Sequence, residues 1–139
     1  MKPAPFVWPV RVYWEDTDAG AGGVVYYANY LRFLERARSE WLRSRGFEQD
    51  CLRAEAGLIF VVRRVEIDYL APARFNDQLD VQCSLAELRR ASLVVAQAIE
   101  RAGEVLARAS VNLACVDAER FKPARILPAL SLSLSNLPS

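Results

Sequence analysis

The 139-residue sequence predicts an α+β domain in which a five-stranded antiparallel sheet wraps around one long central helix. Three observations carry that expectation. Apolar residues recur every three or four positions through "YANYLRFLERARSEWLRSRGF". From Leu58 onward the period drops to two and stays there through four more segments. The apolar stripe of the single long helix then has one surface large enough to bury it, the face of its own sheet.

The elements follow in order. "FVWPVRVYW" reads as a strand, with Val10, Val12 and Trp14 alternating against Arg11 and Tyr13. Pro9 cannot donate to a ladder, so that end belongs at an edge or a strand start. An acidic, glycine-rich loop leads into the helix, whose stripe is Tyr27, Tyr30, Leu31, Leu34, Ala37, Trp41 and Leu42, with Arg32, Arg36 and Arg43 off it. Gly46 stops the helix. "EQDCLRAEAG" reads as a second, short helix ending at Gly57. "LIFVVRRVEIDYL" is a long strand, "APARFND" a turn, and "QLDVQCSLAEL" a strand with Leu79, Val81, Cys83 and Leu85 on one face. "SLVVAQAIE" and "VLARASVNLACV" form a hairpin through "RAGE", where Gly103 suits the turn. "DAERFKPARILP" leaves the sheet, and the Leu/Ser alternation of 128–139 reads as an edge strand, an oligomer contact or a frayed end. The whole is one domain with its core at about 7–127. Apolar residues left on the outer sheet face call for cover by another subunit.

Composition excludes several functions. With 18 basic and 17 acidic residues the chain has a formal charge of +1, so it carries no nucleic-acid footprint. It has no histidine, which removes Ser-His-Asp and Cys-His catalysis and histidine metal sites. Cys51, Cys83 and Cys115 form no CxxC pair, so zinc and a disulfide framework are not expected. No apolar run is long enough for a transmembrane segment, and "MKPAPFVWPV" lacks a signal-peptide core. A cytoplasmic chain is expected.

The chemistry concentrates in "WEDTDAGAGGVVYYANY". It is not GxGxxG, since Val25 occupies the sixth position, and it has no GK[ST]. Asp16, Thr17 and Asp18 can serve as turn and cap residues. They also precede a helix start, where free N–H groups and the positive dipole end can polarise a carbonyl and hold an oxyanion. A carboxylate beside such a carbonyl can activate water or attack it directly. Acid, glycines and helix start together make an acyl-transfer site that needs no histidine. Glu35 and Glu40 lie on the helix as second-choice acids; Glu35 is read first as an exposed partner of Arg38 or Arg32.

"YWEDTDAG", "GVVYYANYLRFLERARSEWLR", "FVVRRVEIDYLAPARFNDQLDV" and "LACVDAERFKP" resemble the hotdog-fold acyl-CoA thioesterases, in particular the Tol-Pal-associated branch related to 4-hydroxybenzoyl-CoA thioesterase. The resemblance runs from about Val7 to Leu127. It implies hydrolysis of an acyl-CoA to a free acid and coenzyme A, and a homodimer or homotetramer, with no cofactor. It makes Asp18 the catalytic carboxylate, with Asp16 and Thr17 in support, and Tyr27 the residue whose amide polarises the thioester. Arg63, Arg64, Arg89, Arg90 and Lys122 become candidates for the coenzyme A phosphates. The chain has Tyr27 where the Tol-Pal branch usually has histidine. Gly20 and Ala21 are two extra residues between the acid and the helix, expected to form a local bulge that leaves both ends in place; the other outcome is a displaced Asp18. A non-catalytic acyl- or partner-binding scaffold and a thioesterase for carrier-protein-bound chains fit the same residues. A dehydratase would need a histidine.

Overall fold

The computed structural model describes residues 5–18 and 23–135. Strand β1 (Phe6–Arg11) leads through a 3-10 turn (Trp14–Asp16) to the short β2 (Thr17–Asp18) and β3 (Val24–Val25). Helices α1 (Asn29–Ser44) and α2 (Gln49–Ala56) follow. Then come β4 (Leu58–Tyr69), β5 (Gln78–Leu88), β6 (Ser92–Arg101), β7 (Glu104–Asp117) and α3 (Pro128–Ser135). The main sheet has the order β1-β5-β6-β7-β4, every neighbour antiparallel, so β1 and β4 are its edges. The β6–β7 hairpin turns on Ala102 and Gly103, with φ of 49° and 85°. A two-residue hairpin asks for positive φ at both positions, which glycine supplies without strain.

The buried side of α1 carries Tyr30, Phe33, Leu34, Ala37, Trp41 and Leu42. It rests on the inward rows of the sheet, where Leu79, Val81, Cys83, Leu93, Val95, Ile99 and Val111 are buried. The expected pattern is thus borne out in its main lines: five antiparallel strands, one long helix, and the short helix closed by Gly57 at φ 68°.

Four local expectations need correction. Strand β1 ends at Arg11 instead of continuing to Trp14. The Asp16 carboxylate accepts the Tyr13 N–H at 2.9 Å and folds the chain into the 3-10 turn, leaving Trp14 52% exposed and edge-on to Phe75. Helix α1 begins at Asn29, after a tight turn in which the Asn29 N–H reaches Tyr26 O at 2.9 Å. Tyr27 and Leu31 are consequently 60% and 41% exposed, and Phe33 takes the core position. The Leu/Ser tail is a helix, not an edge strand: Leu130 and Leu134 are buried while Leu132 is exposed. A strict alternation also places every second leucine at i, i+4, which satisfies one helical face, and Pro128 suits a first helical turn. Last, the outer sheet face is largely polar. One row runs Gln82, Ala98, Arg108, Asp68 and the next Ser84, Ala96, Ser110, Glu66. Exposed large apolar side chains gather instead near the helix start and the β4 edge, at Tyr26, Tyr27, Val62, Tyr69 and Leu70.

Burial separates the three thiols. Cys83 is buried and pushed up to about 12 by desolvation, and burial also raises Cys115, while Cys51 is exposed. A raised thiol pKa means less thiolate at pH 8, and the thiolate is the nucleophile. A chromogenic disulfide reagent at pH 8 should therefore titrate Cys51 alone in the native protein and all three cysteines in denaturant. Rapid native reaction of Cys83 would contradict the packing of α1 on the sheet.

Candidate active site

The acid segment and the helix start are tied together by main-chain geometry. β2 and β3 pair so that Thr17 faces Val25 and Asp18 faces Val24. Asp18 is exposed and lies one strand spacing, about 5 Å, from the residue three before Tyr27. Asp16 is buried, and its carbonyl accepts the Asn29 Nδ2–H at 2.8 Å and the Tyr26 N–H at 3.4 Å. The Thr17 hydroxyl donates to Trp14 O at 2.7 Å. Both residues shape the chain around Asp18. Gly23, at φ 86°, closes the turn between Trp14 and Phe75. Gly20 and Ala21, with the bulge expected of them, lie outside the described residues.

Tyr27 sits in the turn ahead of α1. Its carbonyl accepts the Tyr30 N–H and the Tyr69 hydroxyl, each at 3.2 Å. Its own N–H takes no acceptor among the described residues, as the first amides of a helix do not. Beside it opens a cleft of about 300 Å³ lined by Val24, Val25, Tyr27, Tyr30, Tyr69 and Leu70, with Ala71 and Pro72 behind. Tyr30 stacks on Tyr69 at 5.3 Å, and its hydroxyl accepts the Ala73 N–H at 2.8 Å, pinning the helix start to the segment after β4. The Tyr26 phenol is raised by its hydrogen bond to Tyr27, with the Asp18 carboxylate adding to the effect; burial raises Tyr69. Both phenols therefore stay protonated at neutral pH. A carbonyl placed on the Tyr27 amide would meet the positive end of α1.

The basic residues do not join this site within one chain. Arg63 is the bulged residue of β4, and Arg64 is paired with Glu66 at 2.6 Å. Arg89, paired with Glu87 at 2.7 Å, lies with Arg90 and Lys122 at the far end of the sheet. The 12 residues of β4 separate that end from Tyr69, roughly 36 Å at about 3.3 Å per residue. Glu40 pairs with Arg43 at 2.6 Å, whereas Glu35 makes no ion pair with Arg38 or Arg32 among the described residues, contrary to the expectation for it. Two contributors were missed in the sequence. Asn29 is legible as a polar residue at a helix start; Tyr69 lies in a strand segment whose pattern gives no sign of a role beside the helix start. Among the described residues no cluster of His, Cys, Asp or Glu could hold a metal, and no helix is long and apolar enough to cross a membrane.

One long helix laid on an antiparallel sheet of this order is the fold of the hotdog thioester hydrolases. Comparison with known proteins gives the same class: the family model described as "Thioesterase superfamily" matches residues 22–108, and the chain belongs to that family. It is 49% identical over 129 residues to the acyl-CoA thioester hydrolase YbgC of Escherichia coli O6:H1, spanning 92% of this chain and 93% of that one. It is 47% identical over 118 residues to the acyl-CoA thioesterase YbgC of Haemophilus influenzae, spanning 85% of each. Among solved structures, a probable thioesterase from Bartonella henselae superposes with a TM-score of 0.83 at 38% identity, covering 88% of this chain and 99% of that one.

Proposed function

We propose that this thioesterase hydrolyses acyl-CoA to a free acid and coenzyme A, in the cytoplasm and as a homo-oligomer. The observation that supports the mechanism is the pairing of Asp18 with Val24, three residues before Tyr27, which lines the cleft and whose N–H takes no acceptor among the described residues. The thioester carbonyl oxygen rests on the Tyr27 N–H. Asp18 takes a proton from water as the water oxygen bonds to the carbonyl carbon, or attacks that carbon itself. The oxyanion is held by the amide and the α1 dipole. The C–S bond then breaks, and the thiolate of coenzyme A leaves and is protonated; where Asp18 itself attacked, water then hydrolyses the mixed anhydride to the free acid and restores the carboxylate.

The homo-oligomer reading rests on β4. It is a long edge strand with Val62 and Tyr69 exposed and Leu70 exposed just past its end, an edge that soluble proteins normally cover. Antiparallel pairing of two β4 edges about a two-fold axis would bring the start of one β4 beside the end of the other. The Arg90 and Lys122 end of a second copy would then approach Tyr27, about two to three strand spacings or ~10–15 Å away, within reach of an extended coenzyme A.

The test is thiol release from a panel of acyl-CoAs. Saturable turnover with at least one short or aromatic acyl-CoA is expected. Turnover confined to carrier-protein thioesters, or none on any thioester, would replace this reading with one of the two alternatives. The shared site has its own test. Asp18→Asn and the Arg90→Glu/Lys122→Glu double variant should each be impaired alone, and refolding them together in equal amounts should restore about a quarter of wild-type activity, because about half of the dimers are mixed and one of the two sites in each mixed dimer is intact. No recovery would remove the cross-subunit assignment.

A further inference from the structure

A second cleft opens about two turns further along α1, between that helix and β4. It has a volume of about 190 Å³ and is lined by Glu35, Arg38, Leu42, Gln49, Phe60, Val62 and Leu113, roughly the space of six waters or one small organic acid. At its floor is Arg38, only 8% exposed. Its Nη1–H donates to Gln97 Oε1 at 3.0 Å, a neutral acceptor. Gln97 is already committed: its Nε2–H groups go to Leu34 O at 3.0 Å and Cys83 Sγ at 2.9 Å. The remaining Arg38 N–H groups have no acceptor among the described residues, yet they are not sealed off, so they face the cleft. Burying a cation is costly unless an anion meets it. Burial does weaken this guanidinium's hold on its proton, and the charged groups facing it are the exposed Glu35 and the neutral thiol of Cys83.

We propose that this cleft is a carboxylate-recognition site, with Arg38 as the anchor and Leu42, Phe60, Val62 and Leu113 as the apolar wall for a short carbon chain. A planar guanidinium fork matches a carboxylate in a two-bond pair, and a water-poor floor strengthens that pair. The carboxylate has two possible sources, a free organic acid or the far end of a dicarboxylic acyl group bound at Tyr27. Glu35 at the mouth opposes the anion and sets a weak, adjustable affinity.

The experiment is calorimetric titration of the full-length protein with butyrate, benzoate and succinate, each against its neutral amide. Saturable binding of the acids is expected, at least about tenfold tighter than the amides, the scale of one charge-assisted contact. Arg38→Met should abolish it, and Glu35→Gln should tighten it several-fold. Glu35 is exposed, so that variant keeps the question answerable if Arg38→Met misfolds. Steady-state kinetics then separates the sources. Butyrate acting non-competitively against butyryl-CoA points to free acid; a KM for succinyl-CoA well below that for butyryl-CoA, lost in Arg38→Met, points to the acyl end. The proposal is overturned if the acids bind no better than their amides, if Arg38→Met leaves binding unchanged, or if Glu35→Gln destabilises the fold without tightening binding, which would make Glu35 the buried cation's own partner. Binding is read without turnover, so a negative result leaves the thioesterase reading untouched.

Discussion

Replacing Asp18 with Asn should lower acyl-CoA turnover by about 100-fold or more, about 2.7 kcal/mol of barrier, the usual scale for losing a positioned base or nucleophile. The substitution keeps shape and hydrogen-bonding capacity but cannot take a proton or attack. The buried partner Asp16, not Asp18, carries the bonds that hold the loop to Asn29 and Tyr26, so the fold and the binding of coenzyme A should persist. Because the Tyr27 amide and the α1 dipole remain, residual turnover above the uncatalysed rate is expected as well. Unchanged kcat in the Asn variant would dismiss Asp18 as the reacting group and promote Glu35. A loss of both turnover and the folded signal would show instead that Asp18 is structural.

Trp41→Ala should be the most damaging core substitution. Trp41 is 1% exposed and is the largest of the fully buried side chains. Truncating a buried tryptophan costs about 3–5 kcal/mol, against a total of roughly 5–15 kcal/mol for a typical domain. The urea midpoint should fall sharply at fixed protein concentration, with Tm lower by roughly 10 °C or more. Leu31→Ala is the informative contrast. Sequence spacing put Leu31 on the same stripe, but it is 41% exposed, so its loss should cost well under half as much. Equal destabilisation by the two variants would mean that the helix is rotated relative to the packing described above, or that a second subunit buries Leu31.

The contrast between Trp41 and Leu31 shows what periodicity can resolve. Spacing defines a stripe roughly 100° wide but not its centre. Where α1 starts decides that centre, and the start is set by the Asn29–Tyr26 turn and the bond from Asn29 to Asp16, a contact across 13 residues that no local pattern encodes. The tail failed for a related reason. Leu/Ser alternation has period two, yet its alternate leucines also lie four apart, so only the presence of a groove for Leu130 and Leu134 selects helix over strand. Trp14 left the core because a side chain, Asp16, captured the Tyr13 amide and ended the strand early.

By itself the sequence determined the fold class, the strand and helix order, the family and the stretch that carries the chemistry. These depend on short-range periods, on glycines where φ is positive, and on residue types whose chemistry is intrinsic. The tertiary structure alone decided that Asp18 pairs with Val24, three residues before Tyr27, that Tyr69 lines the cleft from another strand, and that Arg90 and Lys122 lie a strand length from it within one chain. It also decided that Arg38 is buried against the neutral Gln97. On a helical wheel Arg38 is simply one more charge among many. Its burial follows from how α1 lies over β5 and β6, and such long-range packing is set by the joint shape of the whole core, not by the residues on either side.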